Sequence, residues 1–259
     1  ECLVERGLFD LTGKTALVTG GGTGLGRIMA EALAEHGANI AVCSRNVTHG
    51  LETADFVTAQ YGRKAEAYSC NVAVEEEVIE TVERVIEDFG PIHILINNSG
   101  TTWGEKAEDM PYEAWRKVMD VNLGGTFLMS KYVGRQMIQN REGKIINIGS
   151  VAGIKAEPAD VLNAIGYSTS KAGIHHFTKD LAMKWGEYGI SVNAIAPGFF
   201  ESKMTRHVLS ENQEKIIQKN PLKRLGDPGS LKGAVMLLAS RASDHITGQI
   251  IAVDGGSSL

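Results

Sequence analysis

The chain has 259 residues, 43% hydrophobic and 22% charged, which is an ordinary globular balance with enough length to bury one substantial core. A net charge of −5 offers no basic footprint for nucleic acid, and no apolar run approaches the roughly 18 residues of a membrane span. The stretch ECLVERGLFD is too charged for a secretory segment, and Cys2, Cys43 and Cys70 lack metal-ligand spacing, so they read as reduced side chains of a cytoplasmic protein.

Lys14 to Thr19 (KTALVT) reads as a first strand. After the glycine run comes a helix with Leu25, Ile28, Met29, Ala32 and Leu33 on one stripe, ended by Gly37. A second strand at Asn39 to Cys43, a helix from Val47 to Tyr61, a third strand at Ala65 to Cys70 and a helix from Glu75 to Phe89 continue the pattern. Ile92 to Asn97 is apolar on both faces, as a strand covered by helices on two sides requires. Long helices follow at Tyr112 to Asn122 and Gly125 to Asn140. Then come a strand at Lys144 to Gly149, a helix from Tyr167 to about Gly186, and strands at Ser191 to Ala196 and Gln249 to Val253. This alternation predicts a single α/β domain over residues 1–259, a doubly wound, Rossmann-type parallel sheet of seven strands with helices on both faces. Phe199 to Asn220 breaks the rhythm with polar residues and irregularly spaced Met204, His207 and Leu209, and is assigned as a helical flap over the substrate.

The string Thr19-Gly20-Gly21-Gly22-Thr23-Gly24-Leu25-Gly26 follows a strand and opens a helix. In that context glycines allow a sharp turn and close approach to a pyrophosphate, whose charge rests on the helix N-terminus. The second strand ends in Ser44-Arg45-Asn46. No carboxylate is there to repel a 2′-phosphate, whereas the planar fork of Arg45 suits one, so NADP(H) is expected over NAD(H).

In SVAGIKAEPADVLNAIGYSTSK (Ser150 to Lys171), Lys171 falls one helical turn after Tyr167. A nearby ammonium favours a phenolate, so Tyr167 is expected to titrate below its usual range as a general acid or base, with the Ser150 hydroxyl beside it.

These motifs together resemble the signature set of the short-chain dehydrogenase/reductase family: TGGGTGLG, NNSG at Asn97 to Gly100, Asn122, Ser150, YSTSK at Tyr167 to Lys171, and Pro197-Gly198. The likeness spans nearly the whole chain. It implies hydride exchange between nicotinamide and a substrate carbon while Tyr167 moves the oxygen's proton. Ser150 would polarise the carbonyl, Lys171 would tune Tyr167 and hold the nicotinamide ribose, and Asn122 would hold a water relaying protons to Lys171. Cofactor contacts are implied at Gly20, Thr23, Gly24, Leu25 and Gly26, at Asn71 and Val72 near adenine, at Asn98, Ser99 and Gly100, and at Pro197, Gly198, Phe200 and Ser202. Asn71 stands where the family usually has Asp, and Ser99 where it usually has Ala.

Ser150 and Tyr167 are 17 positions apart, longer than the family's usual interval, so Glu157 to Gly166 must bulge outward beside the substrate. The strings GTTWG, INIGSVAGI and PGFF resemble the 3-oxoacyl-thioester reductase branch, and are also similar to gluconate 5-dehydrogenases. Trp103 and Phe199 would form an apolar wall, while Lys155, Lys203 and Arg206 are available to an anion. A non-catalytic NADP(H) sensor on the same fold is the reading of another class; it needs no proton donor, and the intact set Asn122, Ser150, Tyr167, Lys171 argues against it. By analogy with the family, a homotetramer is expected, packing the long helices and the Val253-Asp254-Gly255-Gly256 segment across interfaces.

Overall fold

A computed structural model describes residues 7–201 and 205–259. The strands are β1 (Thr15–Thr19), β2 (Asn39–Ser44), β3 (Ala65–Ser69), β4 (Ile94–Asn97), β5 (Gly143–Ile148), β6 (Ile190–Pro197) and β7 (Ile250–Val253). They form one sheet in the order β3-β2-β1-β4-β5-β6-β7, with every pair parallel. The helices are α1 (Gly24–Glu35), α2 (Val47–Tyr61), α3 (Glu75–Phe89), α4 (Tyr112–Met119), α5 (Gly125–Asn140), α6 (Ile165–Trp185), α7 (Arg206–Lys219) and α8 (Pro228–Ala239).

Strand alternation divides the core in two. Ala16, Val18, Ile94, Ile96, Ile146 and Ile148 face a layer that includes α1 and α8. Leu17, Leu95 and Ile145, from the same strands, face α3, α5 and α6 on the other side. Each of these valine, leucine and isoleucine side chains, removed fully from water, contributes roughly 1.5–3 kcal/mol. That two-sided burial is why these strands read as continuous apolar runs.

The strand order reverses beside β1, between β2 and β4, and the carboxyl ends there open the crevice where α/β sheets bind ligands. The expected seven-stranded, doubly wound arrangement is therefore observed.

Two features depart from the sequence reading. Helix α8 was not anticipated: Gly229 and Gly233 dilute its apolar stripe. Its start is nonetheless well signalled, with Pro228 at the first position and Asp227 closing a capping box with Ser230 (2.8 Å to the Ser230 amide). The helix expected to run from Tyr112 to Asn122 stops at Met119 and passes through a π-helical turn, Asp120–Gly124, before α5. The wider turn sets Asn122 into the interior, fully buried.

Candidate active site

The turn after β1 is built from glycines because side chains would not fit or would strain it. Gly20 has φ +63°, and its amide donates to the Cys43 carbonyl at 2.7 Å, tying the turn to β2. A Cβ on Gly26 would lie 2.2 Å from the Gly20 carbonyl oxygen, so α1 can press against the turn only with glycine there. Gly24 has φ +53° and nothing within 4 Å of its Cβ position, leaving space over the start of α1. Thr23 precedes that helix without a side-chain cap bond, so the first amides of α1 stay available to an anion, and Leu25 lies in the same turn.

Asn98, from the turn after β4, acts on this loop from behind. Its side-chain amide donates to the carbonyls of Thr19 (3.0 Å) and Gly20 (3.2 Å), and the amides of Asn98 and Ser99 both donate to the Thr19 hydroxyl at 2.9 Å. Thus Asn98 shapes the glycine turn through its side chain.

At the end of β2, the Ser44 hydroxyl donates to the Asn46 carbonyl (2.7 Å), and the Asn46 side chain caps α2 by accepting from Thr48 (3.0 Å). Arg45 is exposed and has no ion pair among the described residues. With Asn71 it lines a concavity of about 340 Å³ that is closed by Tyr112, Arg116, Lys117 and Val121. The two α4 cations went unnoticed in the sequence because nothing there says which face of α4 borders the segment that follows β2. Val72 is buried against Gly125, whose added Cβ would lie 2.6 Å from the valine.

Ser150 follows β5 in extended backbone and caps the short turn Val151–Gly153, its hydroxyl oxygen accepting from the Ala152 amide at 3.1 Å. The phenol of Tyr167, in the first turn of α6, lies near enough to the same hydroxyl to be influenced by it. One turn on, Lys171 is only 4% exposed; its Nζ donates to the Ile148 carbonyl at 2.7 Å and lies 5.6 Å from the Tyr167 ring centroid. Burial pulls the ammonium down to about 8.

The expectation that Lys171 holds the phenol below its usual range is not met. Burial pushes Tyr167 above that range, and the neighbouring Ser150 hydroxyl opposes the shift. Lys171 itself is directed at the Ile148 carbonyl.

Asn122 is committed to protein partners. Its Oδ1 accepts from the Thr101 amide (2.8 Å), and its Nδ2 donates to the Thr101 carbonyl (3.0 Å) and to the Ser170 hydroxyl (2.9 Å). Both amide hydrogens are used, so the side chain braces the turn after β4 against α6, and the expected water-holding role does not fall to its N–H groups. Gly100 lies against this brace; a Cβ there would be 3.5 Å from Asn122 Oδ1 and 3.8 Å from Lys171 Nζ.

A second brace was missed in the sequence: Asn97 donates to Ser130 (3.0 Å) and Asn147 (2.9 Å), and Asn147 donates to Thr178 (2.9 Å). Polar residues in otherwise apolar strand runs were its signal.

Pro197 ends β6, and the Gly198 amide donates to the Val253 carbonyl at 3.0 Å, with room for no Cβ beside Asp254. Phe200 turns its ring into the core against Gly226. Ser202, Lys203 and Met204 lie outside the described residues, as do the side chains of Arg206 and His207.

The long Ser150–Tyr167 connection does bulge: Pro158, Ala159 and Asp160 are exposed. It is anchored where Glu105 donates to the Asn163 carbonyl (2.9 Å) beside Trp103, which is 46% exposed. Lys155 is bonded to Glu157 (3.3 Å) and to the Ser257 carbonyl. Cys43 and Cys70 are free and buried, and Cys2 lies outside the described residues. Among the described residues no helix is long and apolar enough to cross a membrane.

A glycine turn at the switch point, with a hydroxyl, a phenol and a buried ammonium gathered across the crevice, defines a nucleotide-dependent oxidoreductase. Residues 20–258 match a family described as enoyl-(acyl carrier protein) reductase. The chain is 38% identical over 250 residues to a 2-dehydro-3-deoxy-D-gluconate 5-dehydrogenase of Bacillus subtilis, covering 96% of each. It is 37% identical to a 3-oxoacyl-[acyl-carrier-protein] reductase of Aquifex aeolicus, covering 96% of this chain and 98% of the relative. Among solved structures it resembles a gluconate 5-dehydrogenase from Burkholderia cenocepacia in complex with NADP and tartrate, with TM-score 0.92, 34% identity and 97% of each chain covered. The chain belongs to the short-chain dehydrogenase/reductase family and is an oxidoreductase acting between alcohol and carbonyl groups.

Proposed function

We propose that this chain is an NADP(H)-dependent reductase, reversible as an alcohol dehydrogenase, whose substrate is a ketone of the 3-oxoacyl-thioester type. The observation that carries this reading is the Tyr167 phenol set beside the Ser150 hydroxyl with the Lys171 ammonium 5.6 Å from its ring. Burial keeps the phenol protonated at neutral pH, as proton donation to a developing alkoxide requires. Ser150 offers that oxygen a second hydrogen bond, and the nearby ammonium favours the phenolate left behind.

The chain fits NADP(H). The open space at Gly24 and the uncapped start of α1 accommodate a pyrophosphate, and Arg45, without an ion pair among the described residues, would meet the 2′-phosphate. The nicotinamide supplies the hydride. Lys171, Gly100 and the Pro197-Gly198 turn would border its ribose and amide, while Asn71 and Val72 border adenine.

The exposed Trp103 beside the Glu105–Asn163 contact suits an acyl chain, and Lys155, already bonded to Glu157 and Ser257, is not left for a sugar carboxylate. A second reading, reduction of a keto-sugar acid, is favoured by the likeness to the Bacillus and Burkholderia proteins. Loss of NADPH absorbance with acetoacetyl thioester and with 5-ketogluconate separates the two. Turnover of the thioester alone is expected, preference for 5-ketogluconate would replace it with the second reading, and NADPH binding without turnover of any ketone would make the protein a sensor.

The same reading takes residues 1–259 as one domain in which residues 199–220, including α7, close over the substrate. It places the protein in the cytoplasm as a homotetramer joined through the exposed rings of Tyr112 and Phe127 on α4 and α5.

A further inference from the structure

The turn after β7 is folded by one carboxylate. Gly255 and Gly256 stand at φ +64° and +87°, left-handed backbone that glycine adopts freely, and this brings the amides that follow back over Asp254. Its Oδ1 accepts from the Gly256 amide (2.9 Å), and its Oδ2 from the Ser258 amide (2.8 Å) and the Ser257 hydroxyl (3.3 Å). The turn so formed presents the Ser257 carbonyl, which accepts a hydrogen bond from the ammonium of Lys155.

Lys155 belongs to the segment that carries Ser150. The Gly153 amide donates to the Ser150 carbonyl (2.9 Å), and the amides of Ile154 and Lys155 both donate to the Val151 carbonyl (2.9 and 3.0 Å). The ammonium also meets Glu157 at 3.3 Å, a carboxylate only 12% exposed. A cation held by a carbonyl and a carboxylate together makes charge-assisted bonds, stronger than neutral ones, so Lys155 ties the Ser150 turn firmly to the turn after β7. The Pro197-Gly198 turn and the base of α7 rest on the same support. A Cβ on Gly198 would lie 2.8 Å from the Asp254 Cα, and the Asn220 side-chain amide donates to the Asp254 carbonyl at 2.9 Å.

We propose that Asp254 is a positioning residue for the reaction: by folding the turn that offers the Ser257 carbonyl to Lys155, it holds the Ser150 hydroxyl in place beside the Tyr167 phenol. The inference rests on the roles given above to Ser150 and Tyr167. A displacement of about 1 Å at reacting groups costs on the order of 100-fold in rate. The Ser150 turn keeps its internal bonds when the tie is cut, so a loss of about tenfold in kcat is expected.

The test uses Asp254→Ala, which removes the acceptor of all three bonds; Lys155→Met, which keeps the stem and removes the ammonium; the double variant; and Lys155→Arg, which keeps a charged donor. Asp254→Asn, with an acceptor for the Gly256 amide but none for Ser258, replaces the alanine variant if that chain does not fold. Each is measured for kcat and KM with the ketone the enzyme reduces, for the NADPH dissociation constant by fluorescence, and for amide hydrogen exchange in residues 150–157. Asp254→Ala and Lys155→Met should each lower kcat about tenfold with NADPH affinity kept within about threefold, and the double variant should fall no further, because both cut one tie. Lys155→Arg should recover most of kcat. Exchange in residues 150–157 should quicken equally in the two single variants and the double variant, and stay at the parent rate with arginine. Losses of kcat that multiply in the double variant would overturn the proposal, as would a fall in NADPH affinity that matches the fall in kcat. So would a Lys155→Met protein with raised KM and undiminished kcat, which would make Lys155 a substrate contact, or unchanged exchange in residues 150–157 after substitution of Asp254. Exchange does not depend on turnover, so a parent that reduces no ketone would refute the proposed function and still leave the tie from Asp254 to the Ser150 turn judged on its own.

Discussion

Replacing Lys171 by methionine should abolish turnover and change how stability depends on pH. The ammonium is buried and titrates near 8 in the folded chain, against an ordinary 10.5, so folding with the charge in place costs about 3 kcal/mol at neutral pH. Because the folded value is the lower one, the unfolded chain binds more protons between the two, and this cost fades as pH rises through that window. Methionine has the length to fill the site and carries no such cost. It forfeits the 2.7 Å bond to the Ile148 carbonyl, a loss of about 1–3 kcal/mol that does not vary with pH.

At pH 7 the variant should therefore match or exceed the parent by up to about 2 kcal/mol. Between about pH 7 and 9.5 the parent should gain about 2 kcal/mol on it. Urea unfolding of both proteins across that range, read as a difference so that all other groups cancel, checks this. Parallel curves, with a constant difference to within about 0.5 kcal/mol, would refute the assignment of a buried, depressed ammonium.

Tyr167→Phe should remove turnover and leave the NADPH dissociation constant within about twofold, measured by fluorescence titration, since in the proposed reaction the phenol oxygen serves the carbonyl and not the nucleotide. Arg45→Asp should raise KM for NADPH by tenfold or more, about 1.4 kcal/mol or greater, while leaving KM for NADH unchanged or lower in steady-state assays. Asn122→Ala leaves three partners at Thr101 and Ser170 without their bonds and should cost about 3 kcal/mol in urea unfolding, with NADPH binding weakened less than kcat.

The sheet was legible because its central strands are apolar on both faces and are separated by periodic helices; Leu17 and Val18 serve opposite core layers and read as one run. The glycine turn was equally legible, since Gly20 and Gly26 answer local demands of φ and close approach. Helix α8 was not, because two glycines mask its stripe although the Asp227 cap announced it. Spacing placed Lys171 on the Tyr167 side of α6 correctly. It could not say that the Ile148 carbonyl would claim the ammonium, because that depends on how β5 is set against α6. Likewise, the V-N-L context drew attention to Asn122 without revealing the π-turn that commits its amide to Thr101 and Ser170.

The phenol's pKa gives the site a direction. Had the ammonium lowered it as the spacing implies, Tyr167 would sit near neutrality and serve oxidation and reduction alike. With burial dominant, Tyr167 is protonated at neutral pH, so the form that can donate to a carbonyl oxygen is the populated one and the phenolate base is scarce. Alcohol oxidation should then rise with pH until the phenol ionises, while ketone reduction holds level across the neutral range and falls only in alkali. Initial rates in both directions between about pH 6 and 10 test this asymmetry, and two superimposable profiles would show that burial does not control the group that moves the proton.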